Sequence, residues 1–396
     1  MNILIINAGS SSIKYQLMAM PSELVICTGM VERIGETDTI LRYQTDTVTI
    51  NKVAAIPDHK EGFKTIAELL LDPRQGVIKN TDDIALMGHR VVHGGNSFSK
   101  TTAVTQAVKD KIHELSVLAP LHNPHNLEGI TIAEEIFESA KQFAVFDTAF
   151  HHTIPVMAKK YAIPNELFKK HRIQVYGFHG TSHKYVAEQT IAHLQLKQSK
   201  LITIHLGNGC SMTAIKNGKS IDHSMGFAPA NGLIMGSRSG DIDHSLIFHM
   251  VHTLDYSLAE VNKILTKHSG MLALTGFTDL RDIQKDAENG NTACQLALEM
   301  NAYRIKKYIG AYTAVLNGLD AIVFTAGIGE NSSVIRKLVC TDMNYLGITL
   351  DDKKNTTKSK KLREINTADS KVKVLVVPTD EELEIARQVY SISSDQ

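Results

Sequence analysis

Apolar residues 3–6 run directly into Asn7-Ala8-Gly9-Ser10-Ser11-Ser12-Ile13-Lys14, and a second apolar stretch follows at residues 15–18. The arrangement returns at mid-chain. There Ile202-Thr203-Ile204-His205-Leu206 leads into Gly207-Asn208-Gly209-Cys210 and then an apolar run at residues 212–215. Each copy predicts strand, glycine-containing polar turn, strand, with Gly9 and Gly207 at the same place. Glycine lets a chain approach closely, so such turns can aim backbone N–H groups and hydroxyls at phosphate oxygens. Two of them, half a chain apart, point to a duplicated fold that grips one polyphosphate.

Elsewhere strand and helix patterns alternate, which predicts an α/β protein. Asn123-Pro124 places a capping residue before a proline at a first helical position, and Leu127, Ile130 and Phe137 follow at helical spacing. A second helix carries Leu298, Ala302, Ile305, Ile309, Tyr312 and Leu316 on one face. Asn317-Gly318 ends it, and residues 321–325 form a buried strand. Residues 351–361 are polar and charge-rich, and are expected to be a solvated loop. Residues 372–377 predict a strand that Pro378 breaks. Thr379-Asp380-Glu381-Glu382 then has the form of a capping box opening the last helix.

A chain of 396 residues exceeds what one core usually serves, so two domains are expected. Lys+Arg and Asp+Glu are equal at 42 each, so no overall field draws the chain to nucleic acid or to an anionic membrane. Any bound anion must be held by a local cluster. No apolar stretch has the length of a membrane span, and the N-terminus lacks the basic and long apolar regions of a leader. Cys27, Cys210, Cys294 and Cys340 are scattered without a C-x-x-C pair, which fits a reducing cytoplasm rather than a disulfide framework or a zinc site.

Several segments carry chemistry. In Gly88-His89-Arg90-Val91-Val92-His93-Gly94-Gly95, Arg90 sits near a strand end; its planar fork suits a carboxylate or phosphate, with a structural salt bridge as the alternative. Gly236-Ser237-Arg238-Ser239-Gly240-Asp241 is either an anion-approaching loop or a polar surface turn. Ala326-Gly327-Ile328-Gly329-Glu330-Asn331 follows a strand and opens a helix, a recurrent nucleotide contact. It lacks the third glycine of a Rossmann fingerprint, and the chain has no G-x-x-x-x-G-K-[ST] loop. The i,i+4 pairs His89/His93 and His179/His183 lie among glycines, and no H-E-x-x-H occurs; a polar cleft with one catalytic histidine is favoured over zinc. Asp147 closes a buried run and is either a catalytic or Mg²⁺-associated carboxylate or a turn cap. Glu381, in a helix's first turn, also has a dipole-stabilising role open to it.

With these residues assembled, the chain resembles the acetokinase family of acetate and propionate kinases over essentially its whole length. The resemblance rests on the blocks already quoted, together with Ala119-Pro120-Leu121-His122-Asn123-Pro124, Phe146-Asp147-Thr148-Ala149-Phe150-His151 and Tyr176-Gly177-Phe178-His179-Gly180-Thr181-Ser182-His183. It implies the duplicated actin-like ATPase fold shared with sugar kinases and heat-shock ATPases. The expected domains are 1–150, with 380–396 packing back on it, and 151–379, carrying most of the nucleotide site. The implied reaction is reversible phosphoryl transfer from ATP to acetate, giving acetyl phosphate and ADP. Mg²⁺, for which Mn²⁺ can substitute, would be associated with Asn7 and Glu381.

Carried over residue by residue, the resemblance makes Asp147, His179, Arg238, Arg90 and His122 catalytic. Acetate would be bound by Arg90, with Val92, Leu121, Phe178 and Pro229 around its methyl group. ATP contacts would come from Ser10, Ser12 and Lys14, from His205, Leu206, Gly207, Asn208 and Gly209, from Asp279, Leu280 and Arg281, and from Gly327, Ile328, Gly329, Glu330 and Asn331. A cytoplasmic homodimer is implied too, without nucleic-acid or membrane partners. Ser237 stands where the family pattern has Thr, and Ala273 with Gly276-Phe277-Thr278 replaces serine-rich segments. A chaperone-like or filament-forming ATPase would need an extra module that the 396 residues do not accommodate. A histidine-dependent metallohydrolase is the remaining alternative.

Overall fold

Each central strand is apolar on both faces because helices cover both. The computed structural model describes residues 1–394 and divides into two compact units, Met1–Ala149 together with the chain from Asp380 on, and Phe150–Thr379. In the first unit the strands are β1 (Asn2–Ala8), β2 (Ser12–Ala19), β3 (Leu24–Glu32), β4 (Thr39–Gln44), β5 (Thr49–Ala54), β6 (Ile84–Val91), β7 (Thr102–Ala103) and β8 (Lys141–Phe146). They lie in the order β5-β4-β3-β2-β1-β6-β8-β7. Neighbours β1, β6 and β8 run parallel, and the rest pair antiparallel. Ile3 and Ile5 share a core with Ile385, Ala386 and Val389 of the helix Glu381–Ser394. Leu4 and Ile6 instead join Phe63 and Ile66 of the helix His59–Leu71 and Ala133 of the helix Asn123–Ile136. Hence the unbroken apolar run at residues 3–6. A Cβ on Gly88 in β6 would lie 2.6 Å from Ile385 Cγ2, so glycine is what lets the last helix lie against the sheet.

The second unit repeats the plan. Its strands β9 (Lys200–Leu206), β10 (Cys210–Lys216), β11 (Lys219–His223), β12 (Ala321–Thr325), β13 (Arg363–Glu364) and β14 (Lys373–Val376) lie in the order β11-β10-β9-β12-β14-β13. Strand for strand, β11-β10-β9-β12-β14 matches β3-β2-β1-β6-β8 in order and polarity, and each unit adds an antiparallel edge strand. This is the duplicated actin-like ATPase fold, and the two glycine turns occupy the same β-hairpin in each copy. Val186 and Ala187 of the helix Gly180–Leu194 share a core with Leu201, Val323 and Leu375. The long helix Thr292–Leu316 packs against β9 and β10, buries all six predicted positions, and ends at Asn317 in the left-handed region with φ 54°. Among the described residues no helix is long and apolar enough to cross a membrane.

Three local expectations are corrected. Asn123 does not cap its helix: His122 occupies the cap position, and the Asn123 side chain pairs with His93, accepting from its N–H at 3.1 Å and donating to its carbonyl at 3.0 Å. The last helix is capped one residue later than expected, because Asp380 Oδ1 accepts from Leu383 N at 2.9 Å. The charged stretch at 351–361 is not all loop. Asp351 accepts from the N–H groups of Lys353 and Lys354 and starts the short helix Asp352–Thr356.

That helix exists for a buried reason. Its Asn355 is 1 % exposed and accepts from Arg336 through both its side chain and its carbonyl, at 2.8 and 2.7 Å. The other end of the Arg336 guanidinium donates to the carbonyls of Gly329 and Glu330, at the end of the helix Ala326–Asn331. Burial pushes the Arg336 pKa down to about 10, still charged at neutral pH. Arg336→Met would leave the Gly329, Glu330 and Asn355 acceptors unpaired in the interior. The expected loss is about 2–3 kcal/mol, measured as a lower denaturant midpoint at unchanged slope. A midpoint equal to that of the parent protein would show that this brace is dispensable.

Candidate active site

Parallel strands deliver their C-terminal ends to one edge, where α/β proteins place ligands. In the first unit those ends carry Asn7 (β1), Arg90 (β6) and Asp147, the residue after β8. Asp147 is 2 % exposed and grips the guanidinium from the side, accepting from Arg90 Nε at 3.1 Å and Nη2 at 2.5 Å. Arg90 Nη1 leans on Asn7 Oδ1 at 3.4 Å. Burial opposes the charge on Arg90, but Asp147, Glu381 and Glu382 outweigh it and raise its pKa. The Glu381 carboxyl is pushed up to about 7 by burial, with Asp147 and Glu382 adding to the rise and Arg90 and Lys14 opposing it. The strand ends and the first turn of the last helix therefore bring together an arginine, three acidic groups and an amide oxygen. The salt bridge that the sequence left as an alternative for Arg90 is present.

Around this cluster, Lys14 pairs with Asn7 across β1 and β2 and is exposed, as is Ser10 in the turn; Ser12 opens β2. Val92 is buried, its N–H donating to Asn126 Oδ1 at 3.0 Å. Leu121 and His122 are exposed just before the helix Asn123–Ile136.

In the second unit, His179 and Arg238 converge. A Cβ on Gly209 would lie 3.3 Å from both His179 Nε2 and Arg238 Nη2. His179 holds the left-handed region at φ 54°, a conformation uncommon for non-glycine residues, directly ahead of the helix Gly180–Leu194. Arg238 donates to the Pro229 carbonyl, and burial lowers its pKa. The ring of His205 stacks on that of His179 at 4.3 Å. The i,i+4 pair His179/His183 points at a serine: Ser211 Oγ lies 2.9 Å from His179 Nδ1 and 2.7 Å from His183 Nε2. Phe178 is buried, its N–H donating to His223 Nε2 at 3.1 Å and its carbonyl accepting from His151 Nε2 at 2.9 Å. Most of the histidine cluster thus forms hydrogen bonds that shape the strand–helix junction.

Beside these groups, also within the second unit, is a cavity of about 770 Å³. The β9–β10 turn reaches it with Gly207 and Asn208, the helix Ala326–Asn331 with Gly327, Ile328 and Asn331, and the helix Leu280–Glu288 with Leu280 and Arg281. Asp279, the cap of that last helix, also lines it; its side-chain bond to Arg281 brings its pKa down to about 2. His205, Leu206 and Gly329 are buried and do not line it. Glu330 instead accepts from Thr379 N at 3.1 Å, holding the helix end. Gln284 and Ser332 line the cavity and were not anticipated; Gln284 Nε2 donates to Ser332 Oγ at 2.5 Å. Spacing could have found Gln284, which sits one helical turn after Arg281 on the same face.

A model of the acetokinase family matches residues 2–387. Acetate kinase of Flavobacterium johnsoniae is 64% identical over 392 residues, covering 99% of each chain. Acetate kinase of Caldicellulosiruptor saccharolyticus is 48% identical over 392 residues, covering 98% of each. Among solved structures, Porphyromonas gingivalis acetate kinase matches with a TM-score of 0.93 at 41% identity, covering 99% of both chains. A propionate kinase from Francisella tularensis subsp. tularensis matches equally well, at 0.93 and 40% identity, covering 98% of this chain and 99% of its own. On the family match and on both identities, the chain belongs to the acetokinase family.

Proposed function

We propose that this protein transfers the γ-phosphoryl group of ATP to acetate, reversibly, forming acetyl phosphate and ADP. The observation that carries the reading is the meeting of His179 Nε2 and Arg238 Nη2 over Gly209, beside a cavity that three glycine-bearing or capped helix and turn segments reach. Acetate has a pKa close to that of a glutamate side chain, about 4–5, so at neutral pH it is ionised and needs no general base. A carboxylate oxygen attacks the γ-phosphorus in line. The bond from that phosphorus to the bridging oxygen breaks, and ADP leaves with the electron pair. Catalysis is then positioning and charge stabilisation.

Arg90 takes the acetate carboxylate. Its Nε–Nη2 side is held by Asp147 and its Nη1 leans on Asn7, so the fork is already oriented, and the N–H hydrogens left over would meet the carboxylate. Asp147 therefore acts as an aligner rather than a base. His179 and Arg238 donate to the equatorial oxygens of the moving phosphoryl group, and His122 assists. The nucleotide lies along the segments 207–209, 279–281 and 327–331 of the second unit. Asn7 and Glu381 would hold Mg²⁺. They fit it: the half-buried Glu381 carboxyl is crowded by Asp147 and Glu382, which a cation would relieve, and Mg²⁺ needs only one or two protein carboxylates. When bound, it neutralises phosphate charge. We also take the protein to act in the cytoplasm and as a homodimer, whose interface would cover the exposed Leu246, Phe248, Leu254 and Leu258.

The fold matches an acetate kinase and a propionate kinase equally, so the choice of acid rests on how much room the apolar pocket around the acid's methyl group leaves. Trapping the product with hydroxylamine is expected to show acyl phosphate made from ATP, Mg²⁺ and acetate. One methylene is worth about 1–3 kcal/mol in such a pocket, so kcat/KM should favour acetate over propionate by about tenfold or more. A preference for propionate would overturn the assignment of the acid. Steady ATP hydrolysis indifferent to either acid would overturn the kinase reading. Arg238→Ala should lower kcat by about two orders of magnitude or more, with the circular dichroism spectrum unchanged. Near-normal turnover would remove it from the transition state. For Arg90→Ala the KM for acetate should rise by about tenfold or more along with the fall in kcat; an unchanged acetate KM would exclude direct contact.

A further inference from the structure

Ser211 is fully buried in β10 and lies between two histidine rings, with Oγ 2.9 Å from His179 Nδ1 and 2.7 Å from His183 Nε2. A hydroxyl owns a single hydrogen, so it donates to one ring and accepts an N–H from the other. Two polarities are possible. In one, His179 Nδ1–H donates to Ser211, which leaves the bare Nε2 lone pair beside Arg238. In the other, His183 Nε2–H donates to Ser211 and Ser211 donates to His179 Nδ1, so the His179 hydrogen sits on Nε2.

The far end of the chain decides between them. His183 Nδ1 lies 2.7 Å from Thr203 Oγ1, which is fully buried. If His183 carried its hydrogen on Nδ1, Thr203 would accept there, and among the described residues no other acceptor takes its own hydroxyl proton. A buried donor without a partner is the costlier failure. Thr203 therefore donates to His183 Nδ1, His183 Nε2–H donates to Ser211, and Ser211 donates to His179. His183 is held well below its ordinary pKa by burial and by the nearby His151 and His205, so its ring is neutral and has one hydrogen to give.

We propose that Thr203, His183 and Ser211 are positioning residues forming a one-way hydrogen-bond relay that holds His179 as its Nε2–H tautomer, ready to donate to the transferred phosphoryl group. The proposal deepens the function above and rests on it for the role of His179. The same device recurs next door: Thr379 Oγ1 donates to Ser182 Oγ at 2.9 Å, and Ser182 lies 2.8 Å from Nδ1 of His205, the ring stacked on His179.

Nitrogen NMR of protein labelled with ¹⁵N in its histidine rings tests the relay without reference to activity, His179 being assigned by its disappearance in His179→Gln. The parent protein should show His179 protonated at Nε2 and bare at Nδ1. In Ser211→Ala that pattern should shift toward Nδ1–H, and kcat should fall by about tenfold or more while both KM values stay within about twofold. Thr203→Val should act in the same direction more weakly, and carries the test if Ser211→Ala does not fold. Thr190→Val removes a buried hydroxyl of the same helix as His183, one that donates to the Val186 carbonyl, and should leave kcat within about twofold. A His179 hydrogen found on Nδ1 in the parent, or a pattern unmoved in both relay variants, overturns the relay. So does unimpaired kcat in those variants while His179→Gln is impaired. If His179→Gln itself turns over normally, the role given to His179 falls, and the tautomer shift alone then decides the relay.

Discussion

Gly209 has no side chain, and the close meeting of His179 and Arg238 in the second unit depends on that. A methyl group there would press on His179 Nε2 and Arg238 Nη2 together. Leaving the backbone bare opens a point that two strong donors can both reach. The surrounding structure keeps them aimed at it. Phe178, the residue before His179, has its N–H and carbonyl bonded to His223 and His151. His179 then turns through the left-handed region into a helix. Arg238 is held on its far side by the Pro229 carbonyl. A site for a transferring group needs donors that do not have to reorganise, and hydrogen-bonded histidines with buried hydroxyl partners supply that rigidity.

The first unit solves a different problem with the same sheet. Its strand ends carry formal charge, and a charge in a half-buried place must be paired. Asp147 pairs Arg90 in advance, so the guanidinium keeps its direction without substrate. The crowding of Glu381 by Asp147 and Glu382 is the reverse condition, an excess of negative charge that a cation would relieve.

Much of this could be seen in the chain before any coordinates. The doubled strand–turn–strand pattern announced the repeated topology, and the six apolar positions from Leu298 to Leu316 all proved buried. Gly207, Asn208, Asp279, Arg281, Gly327 and Asn331 do gather at one cavity. What stayed hidden depended on partners remote in sequence. Nothing in Asp351-Asp352-Lys353-Lys354-Asn355 says that the asparagine must satisfy a buried arginine, so the segment passed for a solvated loop. The amide of Asn123 had a local use as a cap and a distant one on His93, and the distant one won. The i,i+4 pair His179/His183 looked like metal spacing. Its meaning came from Ser211 on a neighbouring strand, which no local pattern could supply.

Strand register shows how duplication was turned to two chemistries. Asn7 and His205 occupy equivalent places, each two residues before the glycine of its turn. Across the hairpin, Asn7 faces Lys14 and His205 faces Ser211. On the parallel side, Ile6 pairs with His89 and Ile204 with Phe324, so Arg90 in one copy corresponds to Thr325 in the other. The next pairings, His89 with Ala144 and Phe324 with Val376, set Asp147 against Thr379. Where the first unit has lysine, arginine and aspartate, the second has serine, threonine and threonine. Charged groups suit a small anion and its counter-ion. Neutral hydroxyls suit imidazole rings that must keep one chosen tautomer, because a charged neighbour would pull their protons toward or away from it. Thr325 follows the same logic, donating to the Val377 carbonyl at 2.7 Å and so fixing the strand end from which the Gly327–Gly329 helix departs.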